Sequence, residues 1–409
     1  MRGTRAAVAV FFFGDGLLLG SWASRIPAVQ GQTHLTNAGL GLALFGSSLG
    51  ALVAMPIAGR LCERIGSRRV TVAALVVASA SLFGASNAGG LPALSVALFC
   101  FGAGFGSVNV AANVQGIALE RLYGRTILSS FHAAFSVGGL VGAGLGALAA
   151  RLSLTPRAHL GALALLLSMA GLVLARRLLP PDAADTARTR ILVRPPRALL
   201  VLGAAAFCTL LAEGAAADWS APYLSQAVHA PAAVAGLGYA AFSLAMATSR
   251  TLGDRLHARF GSVMLARAGG VVAASGLSAA LVVGSEPVGL AGFAAMGAGL
   301  GVVVPILFRA AASAPGVSAS LGVAAVSTIG WLGFLAGPPA IGFAAGAIGL
   351  RGALAIAVVA IVSLVFLAGG AKPRAGDVSV SMSSWPLGRR SVGHDGTGRP
   401  LRHGSAPLS

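Results

Sequence analysis

Three acids stand inside long apolar stretches of this sequence: Asp15, Glu213 and Asp218. An ionisable group in such a setting is costly and marks a place where charge is used. Asp15 and Glu213 each precede a glycine, and Trp22 and Trp219 follow them at similar distances. A carboxyl group withheld from water favours its protonated form, so a pair of this kind could exchange protons near neutral pH. The alternative for each is a hydrogen bond to a neighbouring helix. Asp218 lies five residues beyond Glu213, about 140° around a helix, so the two do not share a face. Nearer the end of its span, it could pair with Arg25 or gate the mouth of a pathway. Arg25 has a similar place in its own span, where it could also snorkel to the interface.

Two further groups of polar residues fall at helical spacing. Gly102, Gly106, Asn109, Asn113, Gly116 and Glu120 form one stripe, from which Gln115 is displaced. Its two asparagine amides point the same way and could read a hydroxylated solute. The same stripe could equally be a close-packing seam, because small residues let helix backbones approach. Ser129, His132 and Ser136 form the second group, and histidine is the side chain that titrates unperturbed near physiological pH. A satisfied buried histidine is the alternative reading.

These groups need a scaffold, and composition defines it. Hydrophobic residues make up 56% of the 409 and charged residues 10%, against roughly a quarter in soluble domains. Apolar runs of about 20 residues recur, each long enough to cross a hydrocarbon core. The expected fold is an all-α polytopic membrane protein with twelve spans, near 6–28, 38–60, 70–89, 92–120, 127–149, 158–177, 198–226, 232–252, 262–284, 288–311, 318–341 and 349–370. Asn87-Ala88-Gly89-Gly90-Leu91-Pro92 and Gly284-Ser285-Glu286-Pro287 carry helix-breaking signals between spans. The apolar stretch that follows Arg2 and Arg5 is interrupted by Asp15 and leads into further spans, so it is read as a retained first helix rather than a signal peptide.

Charge orients the chain. Of 29 Lys and Arg residues, only Arg25, Arg151, Arg157 and Arg351 fall on one side of this layout. The asymmetry is the positive-inside pattern, which marks the arginine-rich side as cytoplasmic and puts both termini there. Scattered over short loops, the net charge of +18 makes no nucleic-acid stripe and fits an anionic inner leaflet. Cys62, Cys100 and Cys208 are too few and too scattered for a disulfide framework or metal site. No phosphate-binding loop, metal-ligand cluster or nucleophile elbow is present, so neither an enzyme nor a cofactor is expected.

The linker at 179–197 is bounded by paired prolines and carries most of its charge between them. It divides a six-helix bundle at 1–178 from a second at 198–370, and 371–409 reads as a disordered cytoplasmic tail. The bundles resemble each other: one offset relates Asp15 to Glu213, Ser129-Ser130 to Ser327-Thr328, and Gly139 to Gly337. A charged loop also repeats. Gly59, Glu63, Arg64, Gly66, Arg68 and Arg69 stand between the second and third spans. Asp254, Arg255, Arg259 and Gly261 stand between the eighth and ninth, with Arg250 where the first glycine would be. Weak internal symmetry of this kind is typical of transporters built from parallel repeats.

The loop pattern G-x-x-x-D-R-x-G-x-R-R, with Glu63 for the aspartate, resembles that of the major facilitator superfamily over roughly residues 5–370. The segments Gly20 to Pro27 and Glu213 to Trp219 resemble a bacterial branch akin to fucose permeases. The resemblance implies two pseudo-symmetric six-helix bundles that rock around a central site as a monomeric secondary transporter. It implies a small solute, coupled to protons; efflux of drug-like compounds or metabolites is the alternative, and a transport-dead sensor a lesser one. It also implies that Glu63 docks at the start of the eleventh span, near Ser318 and Ser320, and Asp254 near Thr126, in the closed state of the cytoplasmic side. An acid at a helix N-terminus is favoured by free N–H groups and the helix dipole. Gly333 to Gly342 with Pro338-Pro339 reads as a bend on the eleventh span. Gly138, Gly139, Gly142, Gly144 and Gly146 enrich the fifth without a proline, so this pattern does not establish export.

Overall fold

The computed structural model describes residues 2–124, 127–180, 196–315, 317 and 319–371. These residues form helices α1 (Arg2–Thr33), α2 (Asn37–Ile65), α3 (Ser67–Ser86), α4 (Leu91–Tyr123), α5 (Leu128–Arg151), α6 (Pro156–Leu174) and α7 (Arg197–Gln226). They continue through α8 (Ala232–Ala235), α9 (Leu237–Phe260), α10 (Ser262–Val283), α11 (Glu286–Leu300), α12 (Val303–Ala312), α13 (Ala319–Ala353) and α14 (Ala355–Leu367). Eleven of the described helical stretches are long and apolar enough to span a membrane, and the shorter Ala355–Gly370 completes twelve. Residues 181–195 of the expected linker and 372–409 of the expected tail lie outside the described residues.

The expected eighth span is divided at Gly236 between α8 and α9, and two further departures each have a local cause. The tenth is split into α11 and α12 at Gly301-Val302. Pro305 has no N–H to offer the Gly301 carbonyl four residues back, so the helix ladder loses a bond there. The eleventh runs on to Gly349, whose φ of 75° breaks the helix before the twelfth. Within α13, Pro338 likewise frees the Phe334 carbonyl, and Ser48 of α2 donates its hydroxyl to that oxygen at 3.0 Å. Here a proline signal becomes a tie between two helices.

The packing repeats. α1 lies on α5 and α2 on α4; in the second half α7 lies on α13 and α9 on α11. Glycines set the close approach in each pair. A Cβ on Gly16 would overlap the Phe135 carbonyl oxygen, and one on Gly333 the Phe207 carbonyl oxygen. The two charged loops also fold alike. Gly66 joins α2 to α3 at φ 86° and ψ 140°, and Gly261 joins α9 to α10 at φ 73° and ψ 168°. A side chain at either position would be strained, which explains the repeated glycine.

The far end from these loops is where the two halves meet. Gly41 packs on Pro338 and Gly342, Gly236 on Ala147 and Ser24, and Gln226 donates to Gln30 at 2.8 Å. Nearer mid-depth, Gly139 faces Tyr239 and Ser243. Among the described residues, no seam of this kind joins the basic ends of α2 and α4 to those of α9 and α12. The contacts between the halves therefore concentrate, among the described residues, at the far end and at mid-depth.

The start of the linker is fastened from within. Gln115, fully buried on α4, donates to Ser67 Oγ at 2.8 Å and to the Leu179 carbonyl at 3.1 Å, and accepts from the Leu179 amide at 2.8 Å. Arg68 of the charged loop donates through Nε and Nη2 to the Leu178 carbonyl. Gln115→Leu strands the buried Ser67 hydroxyl and both Leu179 backbone groups. We expect it to cost about 3 kcal/mol, read as a lowered thermal unfolding midpoint of the purified protein.

Candidate functional site

Asp15 sits near the middle of α1, flanked by glycines that seat this helix against its neighbours. It is 2% exposed, and its Oδ1 has no hydrogen-bond partner. Glu213 occupies the corresponding depth of α7. Its side chain is 12% exposed, and Oε1 lies 3.9 Å from Nη2 of Arg250 on α9. That separation is an ion pair but too long for a hydrogen bond. Arg250 Nε points instead at the Gly301 carbonyl, 3.4 Å away, the group that Pro305 leaves without a helical partner. The break in the tenth span thus holds the guanidinium in position.

Arg250 also lies within electrostatic reach of His132 on α5. His132 Nε2 is 3.2 Å from Asn113 Oδ1, and its ring meets Phe12 edge-on at 5.2 Å between centroids. Asn113 donates Nδ2 to the Asn109 carbonyl at 2.7 Å, and Ser136 donates to the His132 carbonyl at 3.2 Å. Two polar groups therefore stand in the two halves: Asn109, Asn113 and His132 on α4 and α5, and Arg250 and Glu213 on α9 and α7. α5 and α9, which carry His132 and Arg250, pack against each other across the two halves.

The small and polar stripe on α4 proves divided. Gly102 and Gly106 are packing surfaces for α2, where added Cβ atoms would press on Ser47 and Ala51. Asn109 and Asn113 belong to the polar group with His132. Glu120 is a helix cap: its Oε2 accepts from the Leu128 amide at the start of α5, 3.2 Å away.

Arg25 is 3% exposed and does not snorkel. It turns inward and donates Nη2 to the Leu154 carbonyl in the turn before α6. Asp218 makes no ion pair with it among the described residues, so the two are not brought together. The other carboxylates, Asp15 and Glu213, are on neighbouring helices, since α1 packs on α7. In the first loop Glu63, Arg64 and Arg69 are exposed, as are Arg255 and Arg259 in the second. Thr126 and Ser318 lie outside the described residues, as do the side chains of Asp254, Ser129 and Ser320, so the expected docking of the two acids falls there.

Arg250 is the residue that sequence reasoning passed over. In the sequence it stands at the missing glycine of the second loop, one turn inward from Asp254. Arg250 falls within the expected eighth span, where a charge is itself a signal, and Pro305 is the signal for its carbonyl partner.

A helical protein of twelve apolar spans, with carboxylates and a guanidinium at mid-depth between two similarly packed halves, has the build of a membrane transporter. Residues 6–212 match the family model of the Major Facilitator Superfamily. The chain is 37% identical to the transporter y4wD of Sinorhizobium fredii over 84% of its own length and 92% of that protein's. It belongs to the major facilitator superfamily and is a membrane transporter of that kind. Among solved structures, the nucleoside transporter NupG is similar with a TM-score of 0.69 at 14% identity, covering 91% of this chain and 98% of that one. The E. coli fucose:proton symporter FucP is similar with a TM-score of 0.59 at 18% identity, covering 90% and 98%. At those identities the likeness is one of fold.

Proposed function

We propose that this chain is a proton-coupled secondary transporter that moves a small solute by alternating access, with Asp15 and Glu213 as the proton-exchanging groups. The observation that carries the reading is the pair of mid-depth carboxylates on the corresponding helices α1 and α7. One has an oxygen without a partner, and the other is held in a loose ion pair. A buried carboxylate with neither a tight ion pair nor hydrogen bonds gains little from being charged. Such a group can trade a proton when a solute arrives. The fold similarity to a fucose:proton symporter supports coupling of this kind.

In this reading the protein works as a monomer in a bacterial cytoplasmic membrane with both termini cytoplasmic. The basic end is then the cytoplasmic end, and the far-end contacts of Gln30 with Gln226 and of Gly236 with Ala147 describe an inward-open state. The exposed Glu63 agrees with that state, because its docking site forms only when the cytoplasmic side closes. The loop residues Glu63, Arg64, Asp254 and Arg255 act as the gate on that side.

The test is solute-driven proton flux in proteoliposomes across a panel of neutral, anionic and cationic solutes. Asp15→Asn and Glu213→Gln are each expected to abolish the flux, and normal coupled transport by both variants overturns the assignment. Comparing inside-out with right-side-out vesicles separates uptake from efflux.

A further inference from the structure

We propose that the Arg250–Glu213 pair, whose arginine lies on the helix that packs against the one bearing His132, is the core of a binding site for a small hydroxylated carboxylate, with Arg250 as its anion-binding group and Glu213 as the internal anion that the solute replaces. The proposal rests on the proton-coupled reading above and names the solute class for the same site.

The first support is the state of Arg250. Its Nε is committed to the Gly301 carbonyl, which fixes the plane of the guanidinium. Nη2 faces Glu213 at 3.9 Å without a hydrogen bond, and the Arg250 side chain is 35% exposed. The result is an oriented guanidinium with unused donors and room beside it. A planar fork of this kind matches a carboxylate with two parallel hydrogen bonds.

Charge balance is the second support. Arg250 and Glu213 compensate each other when both are ionised. Protonating Glu213 leaves a guanidinium without a counter-ion at mid-membrane depth, which is costly. A carboxylate entering beside Arg250 restores the balance, whereas the same carboxylate is repelled while Glu213 is ionised. Proton and anion therefore bind together, and one of each crosses with no net charge moved.

The remaining groups fix the rest of the solute. Asn109, Asn113 and His132, on α4 and on α5, which packs against α9, present amide and imidazole atoms suited to hydroxyl groups. The charged and titratable groups that bear on Glu213 are Arg250 and Tyr239 from α9. Asp218 lies on the same helix, and Asp15 on α1, which packs against it. His132 on α5 bears on Arg250. From α13 and α14, which also pack on α7, the only ionisable residue is Arg351 near the far end. α12 adds Arg309 near the basic end.

The experiment uses the purified full chain, with lactate and gluconate as probes and lactamide and glucose as uncharged counterparts. Thermal midpoints and calorimetric affinities are measured at about pH 5.5 and about pH 8, where both probe acids are ionised. The carboxylates are expected to bind at least about tenfold tighter than their counterparts, and tighter at the lower pH. Glu213→Gln should bind them equally well at both pH values, Arg250→Lys weakly, and the charge-balanced double variant Arg250→Gln/Glu213→Gln not at all. Equal binding of neutral and anionic probes, carboxylate binding by the double variant, or no carboxylate binding to Glu213→Gln overturns the proposal. Proton coupling fails separately: carboxylates would then bind as described, while wild-type proteoliposomes showed no solute-driven proton flux.

Discussion

Valine in place of Gly142 is expected to destabilise the protein by about 3 kcal/mol or more, at the upper end of overpacking penalties. A Cβ there would overlap the Leu17 carbonyl oxygen and lie 2.8 Å from the Ser21 amide nitrogen. Both are backbone atoms of α1 and cannot rotate away. The Gly142 carbonyl also accepts the Ser21 hydroxyl at 3.2 Å, and that bond is lost when the helices part. In a membrane the hydrophobic effect does not hold helices together, so close packing of this sort carries much of their association. Gly144 supplies the control: it stands on the same helix with nothing within 4 Å of an added Cβ. Gly144→Val is expected to shift the unfolding midpoint little, whereas Gly142→Val lowers it sharply or prevents extraction of folded protein. Similar losses from the two would mean that α1 and α5 are not held as closely as the glycines imply.

That contrast shows what the sequence could and could not disclose. A run of five glycines on the fifth span was visible, but not which of them face α1. Hydropathy reports the length of a span, and the rotation of a helix depends on partners distant in sequence. Twelve spans, the duplication and the repeated loops were legible because each depends on local properties: apolar length, turn residues, and a glycine needed at positive φ. The α4 stripe was legible as a face but not as two faces in succession, one seating α2 and one joining His132. Arg250 was obscured for a different reason. It occupies a motif position, which hides that it is also a charge inside an apolar span. Its partner, the Gly301 carbonyl, becomes available only through the absence of an N–H on Pro305, an effect that runs four residues backward along the chain. The outward reading of Arg25 failed similarly, since the Leu154 carbonyl that receives it lies in a turn far away in sequence.

The far-end closure yields the second large effect. An ideal Cβ on Gly236 lies 3.3 Å from the Ala147 Cβ, a few tenths of an ångström under the roughly 3.5–4.5 Å that disulfides span, so a small parting of the two backbones brings the pair into range. Gly236 has φ −62° and ψ −20°, which a cysteine adopts without strain. With the three native cysteines replaced, Ala147→Cys/Gly236→Cys is therefore expected to form a disulfide in the structure described here and to hold α5 against the start of α9. If transport requires the far end to part, oxidation should abolish it completely and a reductant should restore it, an effect larger than any single polar substitution outside the central site. Spin labels at Arg60 and Arg259, both exposed at the basic end, follow the same motion without reference to a solute. The reduced protein should show a long and a short separation as the basic end opens and closes, and the oxidised protein the long one alone. Persistence of the short separation after oxidation would show that the basic end closes while the far-end seam stays shut, and the two halves would then not rock as rigid bodies about the Arg250–Glu213 level.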